Sequence, residues 1–312
     1  MIQEYADVEI WPEELPPPYE FLIQKIKGMD GLLCLLTDKI DDRLMEAAGP
    51  SLKVISQYAV GFDNIDIRAA TRRGIPVGNT PGVLTDATAD FTWALLMSAA
   101  RRVVEGDRFT RSGRWKTWEP TLLLGPDVAG ATLGILGFGR IGQAVARRAH
   151  GFDMHILYHD TRRFLELEQA MGVKYVSFDD LLRQSDILTI HTVLSPETRH
   201  LFGEEQFKQM KPTSILINTA RGPIVQMDAL YHALKSGKIA YAALDVTDPE
   251  PIPMDSPLLN LENIIIAPHM ASASIHSRTR MSIMAAENLI AGLKGEPLPN
   301  CVNPEVYPSR SV

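Results

Sequence analysis

The chain has 312 residues, 45% apolar and 22% charged, with net charge −7 and a pI near 5.6. That length suggests two domains, and the acidic balance argues against nucleic acid or an anionic membrane as the main partner. Only Cys34 and Cys301 occur, so there is no disulfide framework, and Cys34 in GLLCLL reads as a core residue. No signal peptide opens the chain and no apolar run reaches membrane-spanning length, so a cytoplasmic protein is expected.

In chain order, GLLCLL and LKVISQYAV read as buried strands, with DDRLMEAAG and NIDIRAATRRG as helices. The periodicity of 86–112 predicts one long helix. GRWKTWEPTLLLGPDVAG (113–130), with its Gly, Pro and two tryptophans, reads as a loop arm. From Ala131 the rhythm is βαβ: ATLGILGF, HILYHD, VKYV, DILTIH, SILINTA, AYAALDV and NIIIAPH are strand candidates. Their continuous apolarity suits parallel strands covered on both faces. Ser177 and Asp180 stand in capping-box spacing, and MSIMAAENLIAGLKG returns to helix. The expected fold is α/β: a Rossmann-type doubly wound parallel sheet (83–272) inserted into a smaller flavodoxin-like α/β domain (1–82 and 273–312).

Gly137, Gly139 and Gly142 spell G-x-G-x-x-G between a strand and a helix. The first permits a tight turn, the second a close approach of a pyrophosphate, and the third helix–strand packing. The helix start offers free N–H groups to the phosphates. Alone the pattern is weak, because glycine turns also simply join strand to helix. Asp160 ends the next strand 18 residues after Gly142, where a carboxylate would hold ribose hydroxyls, although a solvated turn aspartate is the alternative. Asp160 leans the reading to NAD(H), while Arg162 and Arg163 leave NADP(H) open.

Arg221, Glu250 and His269 follow apolar, strand-like runs, and strand ends are where an open α/β sheet builds its cleft. Hydride addition to a 2-keto acid builds negative charge on the carbonyl oxygen, which an acid and a cation stabilise. Arginine's planar fork suits a carboxylate, and an imidazole exchanges protons near neutrality. A glutamate on the other ring nitrogen would hold the imidazole and complement its charge. Each also has a plainer reading, as a loop arginine, a solvated turn glutamate and a helix-entry histidine.

The segments NTPGVLTDATAD, GFGRIGQAVARRA, INTARGPIV, LDVTDPEP and APHMASAS resemble the D-isomer-specific 2-hydroxyacid dehydrogenase family, nearest its glyoxylate/hydroxypyruvate reductases, over nearly the whole chain. The resemblance implies that Arg221 binds substrate, Glu250 is the acidic partner and His269 the proton donor. It further implies that Val60 and Gly61 present backbone amides to the substrate carboxylate, unless they form a plain strand-to-helix turn. Asp245 would hold the nicotinamide carboxamide or, otherwise, cap a strand end. Thr88, Thr219 and Ala220 would line the nicotinamide, Arg140 and Ile141 the glycine turn, and His191 and Val193 the adenosine half. Trp118 would reach a neighbouring subunit's pocket or serve as an interface or core aromatic.

Three departures stand out. Relatives open with a strand before their first helix, whereas Met1 falls inside what would be that helix. The small sheet is therefore expected to lack its first strand and to expose apolar surface. Met270-Ala271 replaces a bulky residue and glycine, and Asp153 replaces a turn glycine, at a position where aspartate tolerates left-handed geometry.

The expectation is NAD(P)H-dependent reduction of glyoxylate or hydroxypyruvate to the D-2-hydroxy acid by a homodimer whose domains close over the substrate. No metal-ligand set is assigned. The competing readings are a dehydrogenase for another keto acid (2-ketogluconate or phosphoglycerate, the latter weakened by the lack of a C-terminal extension), a nucleotide-sensing corepressor-like binding protein, and an inactive paralogue.

Overall fold

The computed structural model describes residues 1–308. The chain divides into two compact units, Met1–Leu84 with the segment from Ser274 onward, and Thr85–Ala273.

In the first unit, helix α1 (Tyr19–Lys25) leads to strand β1 (Gly31–Cys34), helix α2 (Asp42–Ala48), strand β2 (Val54–Gln57), helix α3 (Ile67–Arg72) and the short strand β3 (Val77–Gly78). The strands pair in parallel in the order β1-β2-β3. Asp41 and Asp66 cap α2 and α3, accepting the N–H groups of Leu44 (3.1 Å) and Ala69 (2.9 Å). At the start of the chain Ile2–Glu4 form a single 3-10 turn, closed by Tyr5 and Ala6 N–H bonds to the Ile2 carbonyl. The helix expected around Met1 is thus reduced to one turn. Met1 supplies no side-chain cap, and a first turn costs more than its hydrogen bonds return unless further turns follow.

The second unit opens with α4 (Thr85–Ala100) and α5 (Val103–Arg111), not one continuous helix. The break lies at Arg102, whose φ of 51° is left-handed. Its guanidinium bonds both Glu105 oxygens (2.6 and 2.9 Å) and the Leu124 carbonyl (3.4 Å), which offsets a strained conformation that apolar periodicity cannot register. Residues 113–130 contain only turns and irregular chain.

The sheet that follows comprises β4 (Thr132–Leu136), β5 (His155–His159), β6 (Lys174–Tyr175), β7 (Ile187–Ile190), β8 (Ile215–Asn218), β9 (Tyr241–Leu244) and β10 (Ile264–Ile266), with α6 (Arg140–Ala149), α7 (Leu165–Met171), α8 (Phe178–Gln184), α9 (Glu204–Gln209) and α10 (Met227–Lys235) between them. All pairings are parallel, in the order β10-β9-β8-β7-β4-β5-β6. Every residue of β7, β8 and β9 is buried, as two-sided cover demands. Ser177 caps α8 as its spacing predicts, accepting the Asp180 N–H at 3.1 Å. Asp153 takes the left-handed conformation (φ 52°) at the turn before β5. Strand order reverses between β4 and β7, and the crevice beyond the carboxyl ends of such strands is where doubly wound sheets bind ligands. Among the described residues the last α-helix is α11 (Ile275–Leu293), which packs on the small sheet of the first unit.

Candidate active site

The glycine turn leaves β4 at the reversal point. A Cβ on Gly142 would sit 2.2 Å from the Gly137 carbonyl oxygen, and one on Gly137 would sit 2.6 Å from the Thr192 nitrogen, so neither position admits a side chain. A Cβ on Gly139 meets nothing within 4 Å, which leaves open space over the turn. Arg140 and Ile141 begin α6, and among the described residues their N–H groups donate to no protein acceptor. A tight turn, open space and unpaired amides at a ten-residue helix are what a pyrophosphate needs. Asp160 closes the turn from β5, its Oδ2 accepting the Phe138 N–H at 2.7 Å. His191 follows β7 and donates its own N–H to the Leu136 carbonyl (2.7 Å). Its Nε2 meets Thr189 Oγ1 at 2.9 Å, and burial pushes the imidazole down to about 3, so the ring is neutral.

Arg221 follows β8, where the wholly buried Asn218 shapes the loop: its Oδ1 accepts the Ala220 N–H (3.0 Å) and its amide donates to the Arg221 carbonyl (2.9 Å). Thr219 meets Thr92 Oγ1 at 3.0 Å, and Thr92 in turn donates to the Thr88 carbonyl at 2.8 Å. Helix α4 is thereby tied to the β8 loop. A Cβ on Gly222 would come within 1.8 Å of the Thr247 carbonyl, so the loops after β8 and β9 touch backbone to backbone.

Glu250 follows β9, and His269 follows β10. His269 Nδ1 lies 2.5 Å from Glu250 Oε1, and the Thr247 N–H donates to Oε2 at 3.4 Å. Burial raises the Glu250 carboxyl, but the His269 hydrogen bond and charge, the Thr247 N–H and the Arg221 charge outweigh it and hold the group below its ordinary range. His269 has a left-handed backbone (φ 51°), unusual for a residue with a side chain. Asp245, 1% exposed at the end of β9, enforces it. Its carbonyl accepts the His269 N–H (2.9 Å), and its two carboxylate oxygens accept the N–H groups of Met270 and Ala271, each at 2.8 Å. Burial nevertheless pushes the Asp245 carboxyl up.

The structure therefore brings Glu250 and His269 into contact, with Arg221's charge on the same carboxylate and Asp245 beneath the loop. Trp118 and Val193 stand at the surface, 79% and 75% exposed. In the first unit, Asn79 donates to the Val60 carbonyl (2.8 Å), and Gln57 donates to the Gly61 carbonyl (3.2 Å) and to Asn64 (2.7 Å). Among the described residues the N–H groups of Val60 and Gly61 donate to no protein acceptor. Asn218, Thr92, Gln57 and Asn79 carry no sequence signal of their own, because each acts through backbone that only the fold brings near.

Among the described residues no helix is long and apolar enough to cross a membrane. Residues 93–271 match the family model described as the NAD binding domain of D-isomer specific 2-hydroxyacid dehydrogenases. A glyoxylate reductase of Korarchaeum cryptofilum (strain OPF8) is 56% identical over 310 residues, covering 99% of this chain and 93% of its own. The crystal structure of a protein from Thermus thermophilus superposes with a TM-score of 0.87 at 47% identity, over 92% of this chain and 90% of that one. The NADPH-dependent glyoxylate/hydroxypyruvate reductase of Sinorhizobium meliloti, solved with NADP and malonate, gives 0.82 at 32% identity, over 92% and 88%. With a family model spanning more than half of its length and relatives similar throughout, the chain belongs to the D-isomer specific 2-hydroxyacid dehydrogenases.

Proposed function

We propose that this protein reduces glyoxylate or hydroxypyruvate to the D-2-hydroxy acid, with NADH as the favoured electron source. The observation that carries the reading is the Glu250–His269 contact, held by Asp245 at the strand ends of a dinucleotide-binding sheet. The bound reduced nicotinamide supplies a hydride. Around it, Gly137, Gly139, Arg140, Ile141 and Gly142 would hold the pyrophosphate, Asp160 the adenosine ribose, and His191 and Val193 the adenosine half. Thr88, Thr219, Ala220 and Asp245 would line the nicotinamide, since Asp245 keeps lone pairs beyond its two backbone partners.

The chain's own chemistry is then a proton transfer against developing charge. Glu250 fixes His269 through Nδ1, so Nε2 is the nitrogen that gives its proton to the carbonyl oxygen as the oxygen becomes an alkoxide. Arg221 neutralises charge on the substrate, and the unpaired amides of Val60 and Gly61 are the proposed carboxylate donors on the small unit. In the oxidative direction the same nitrogen accepts the proton. We assign the protein to the cytoplasm and to a homodimer, the latter because the arm after α5 exposes Trp115, Trp118 and Leu124 (59%, 79% and 65%) together with Val103 at 56%.

Absorbance at 340 nm with NADH or NADPH and a panel of glyoxylate, hydroxypyruvate, 2-ketogluconate and a phosphorylated 2-keto acid tests the proposal. Fastest turnover with the two small keto acids is expected. Tight dinucleotide binding with no turnover on any of them would leave a nucleotide-sensing protein instead.

A further inference from the structure

Two arginines, Arg162 and Arg163, follow Asp160 directly, and either could in principle answer the 2′-phosphate that distinguishes NADP(H) from NAD(H). The structure engages both elsewhere. Arg163 forms a two-pronged pair with Glu168, Nε to Oε1 at 2.7 Å and a terminal nitrogen to Oε2 at 2.8 Å. Glu168 is braced on its other side by the Tyr158 hydroxyl, which donates at 2.9 Å and itself accepts the Phe164 N–H at 2.8 Å. Arg162 lies over the Phe164 ring, 4.2 Å from its centroid.

An exposed ion pair by itself would be a weak restraint. This one has two parallel hydrogen bonds, and the Glu168 side chain is only 14% exposed beneath a fully buried tyrosine. The tyrosine ring stacks on Phe138 of the glycine turn at 4.2 Å, so the brace is continuous with the dinucleotide turn itself. Asp160, meanwhile, keeps its carboxylate on the turn through the Phe138 N–H and would repel a phosphate there.

We propose that Glu168, braced by Tyr158, is a specificity-determining latch: it neutralises Arg163 and keeps its guanidinium engaged, and so reinforces discrimination by Asp160 against NADP(H). The inference rests on the dinucleotide site of the proposed function, and it adds that selectivity is set partly by a residue that does not touch the ribose.

The test is equilibrium binding, read by quenching of protein fluorescence with NADH and NADPH, on the full chain and on Glu168→Gln, Arg163→Ala and the double variant. Glutamine keeps an acceptor for Tyr158, so the brace and the fold are preserved. The wild-type protein should bind NADH more tightly. Glu168→Gln should lower the NADPH-to-NADH ratio of Kd by about tenfold by freeing a guanidinium for the phosphate. Arg163→Ala alone should leave the wild-type ratio unchanged, and adding it to Glu168→Gln should restore that ratio. An unchanged ratio in Glu168→Gln, a gain that persists in the double variant, or a wild-type preference for NADPH would overturn the latch. Failure of the wild-type protein to bind either dinucleotide would instead overturn the functional reading beneath it.

Discussion

In the large unit, three adjacent strands, β7, β8 and β9, are buried along their whole length, and two apolar clusters cover the sheet. Among the described residues of the small unit β2 alone has a strand on each side, while β3 meets Cys301 through a single antiparallel bridge and β1 runs along an edge with Leu33 38% exposed. The small sheet packs its own apolar cluster with α1, α2 and α3, and it also approaches α11 closely at two points. A Cβ on Gly292 would lie 2.4 Å from Val54 Cβ, and one on Gly78 would lie 2.8 Å from Asn288 Cβ. Ser56 Oγ donates to the Ala285 carbonyl at 2.8 Å, and Asn288 bonds the Asn79 carbonyl at 2.9 Å and the Asn300 N–H at 3.0 Å. Both sheets are covered by apolar clusters, but the large one has three adjacent strands buried throughout, while the small one adds a helix seated almost on its central strand. The first arrangement tolerates elaborate loops at its strand ends, and Arg221, Glu250 and His269 are found on such loops.

The largest contrast should come from the strands themselves. Leu188→Ala, in the middle of β7, removes a side chain with no exposure and should cost about 2–5 kcal/mol, whereas Leu33→Ala at the β1 edge should stay within about 0.5 kcal/mol. Denaturant titration checks this, and similar losses at both sites would erase the distinction. Next in size, Gly292→Ala drives a methyl into Val54. Overpacking of about 1–3 kcal/mol exceeds the roughly 1 kcal/mol of helix propensity that alanine gains, so a net loss confined to the small unit is expected. Calorimetry resolving the two units would show it, and a stabilised variant would contradict the close-approach account.

The smallest effect concerns acid stability of the large unit. Glu250 is held below its ordinary value, so its contribution is fully present above the unfolded value of about 4.5 and is lost as pH falls through the lower native value. Glu250→Gln should therefore lose a little stability at neutral pH, where that contribution is present, and match the parent at low pH, where it is gone, so that the acid limb of its stability curve is flatter. An unaltered limb would show that the His269 contact does not stabilise the carboxylate.

Much of this was legible as local pattern. Continuous apolar runs named the strands of the large sheet, the glycine spacing named the turn, and strand-end positions singled out Glu250 and His269, which the fold brings into contact. The break at Arg102 was not legible, because its ion pair with Glu105 and its bond to Leu124 compete with a periodicity that runs straight through it. β3 is two residues long and owes its place to β2 and to Asn303, whose Oδ1 accepts the Val77 N–H at 2.8 Å. Asp245 was visible as a strand-end acid, but its hold on the Met270 and Ala271 amides exists only once β9 and β10 are adjacent.

The central claim is that His269, fixed by Glu250, delivers the proton from a site built on the large sheet. Its most direct test is steady-state kinetics and NADH binding of His269→Gln side by side. The account predicts a fall in kcat of about 10²- to 10⁴-fold, the usual range for loss of a general acid, with the NADH Kd nearly unchanged. A variant that keeps its kcat, or one that loses cofactor affinity as steeply as turnover, would contradict it.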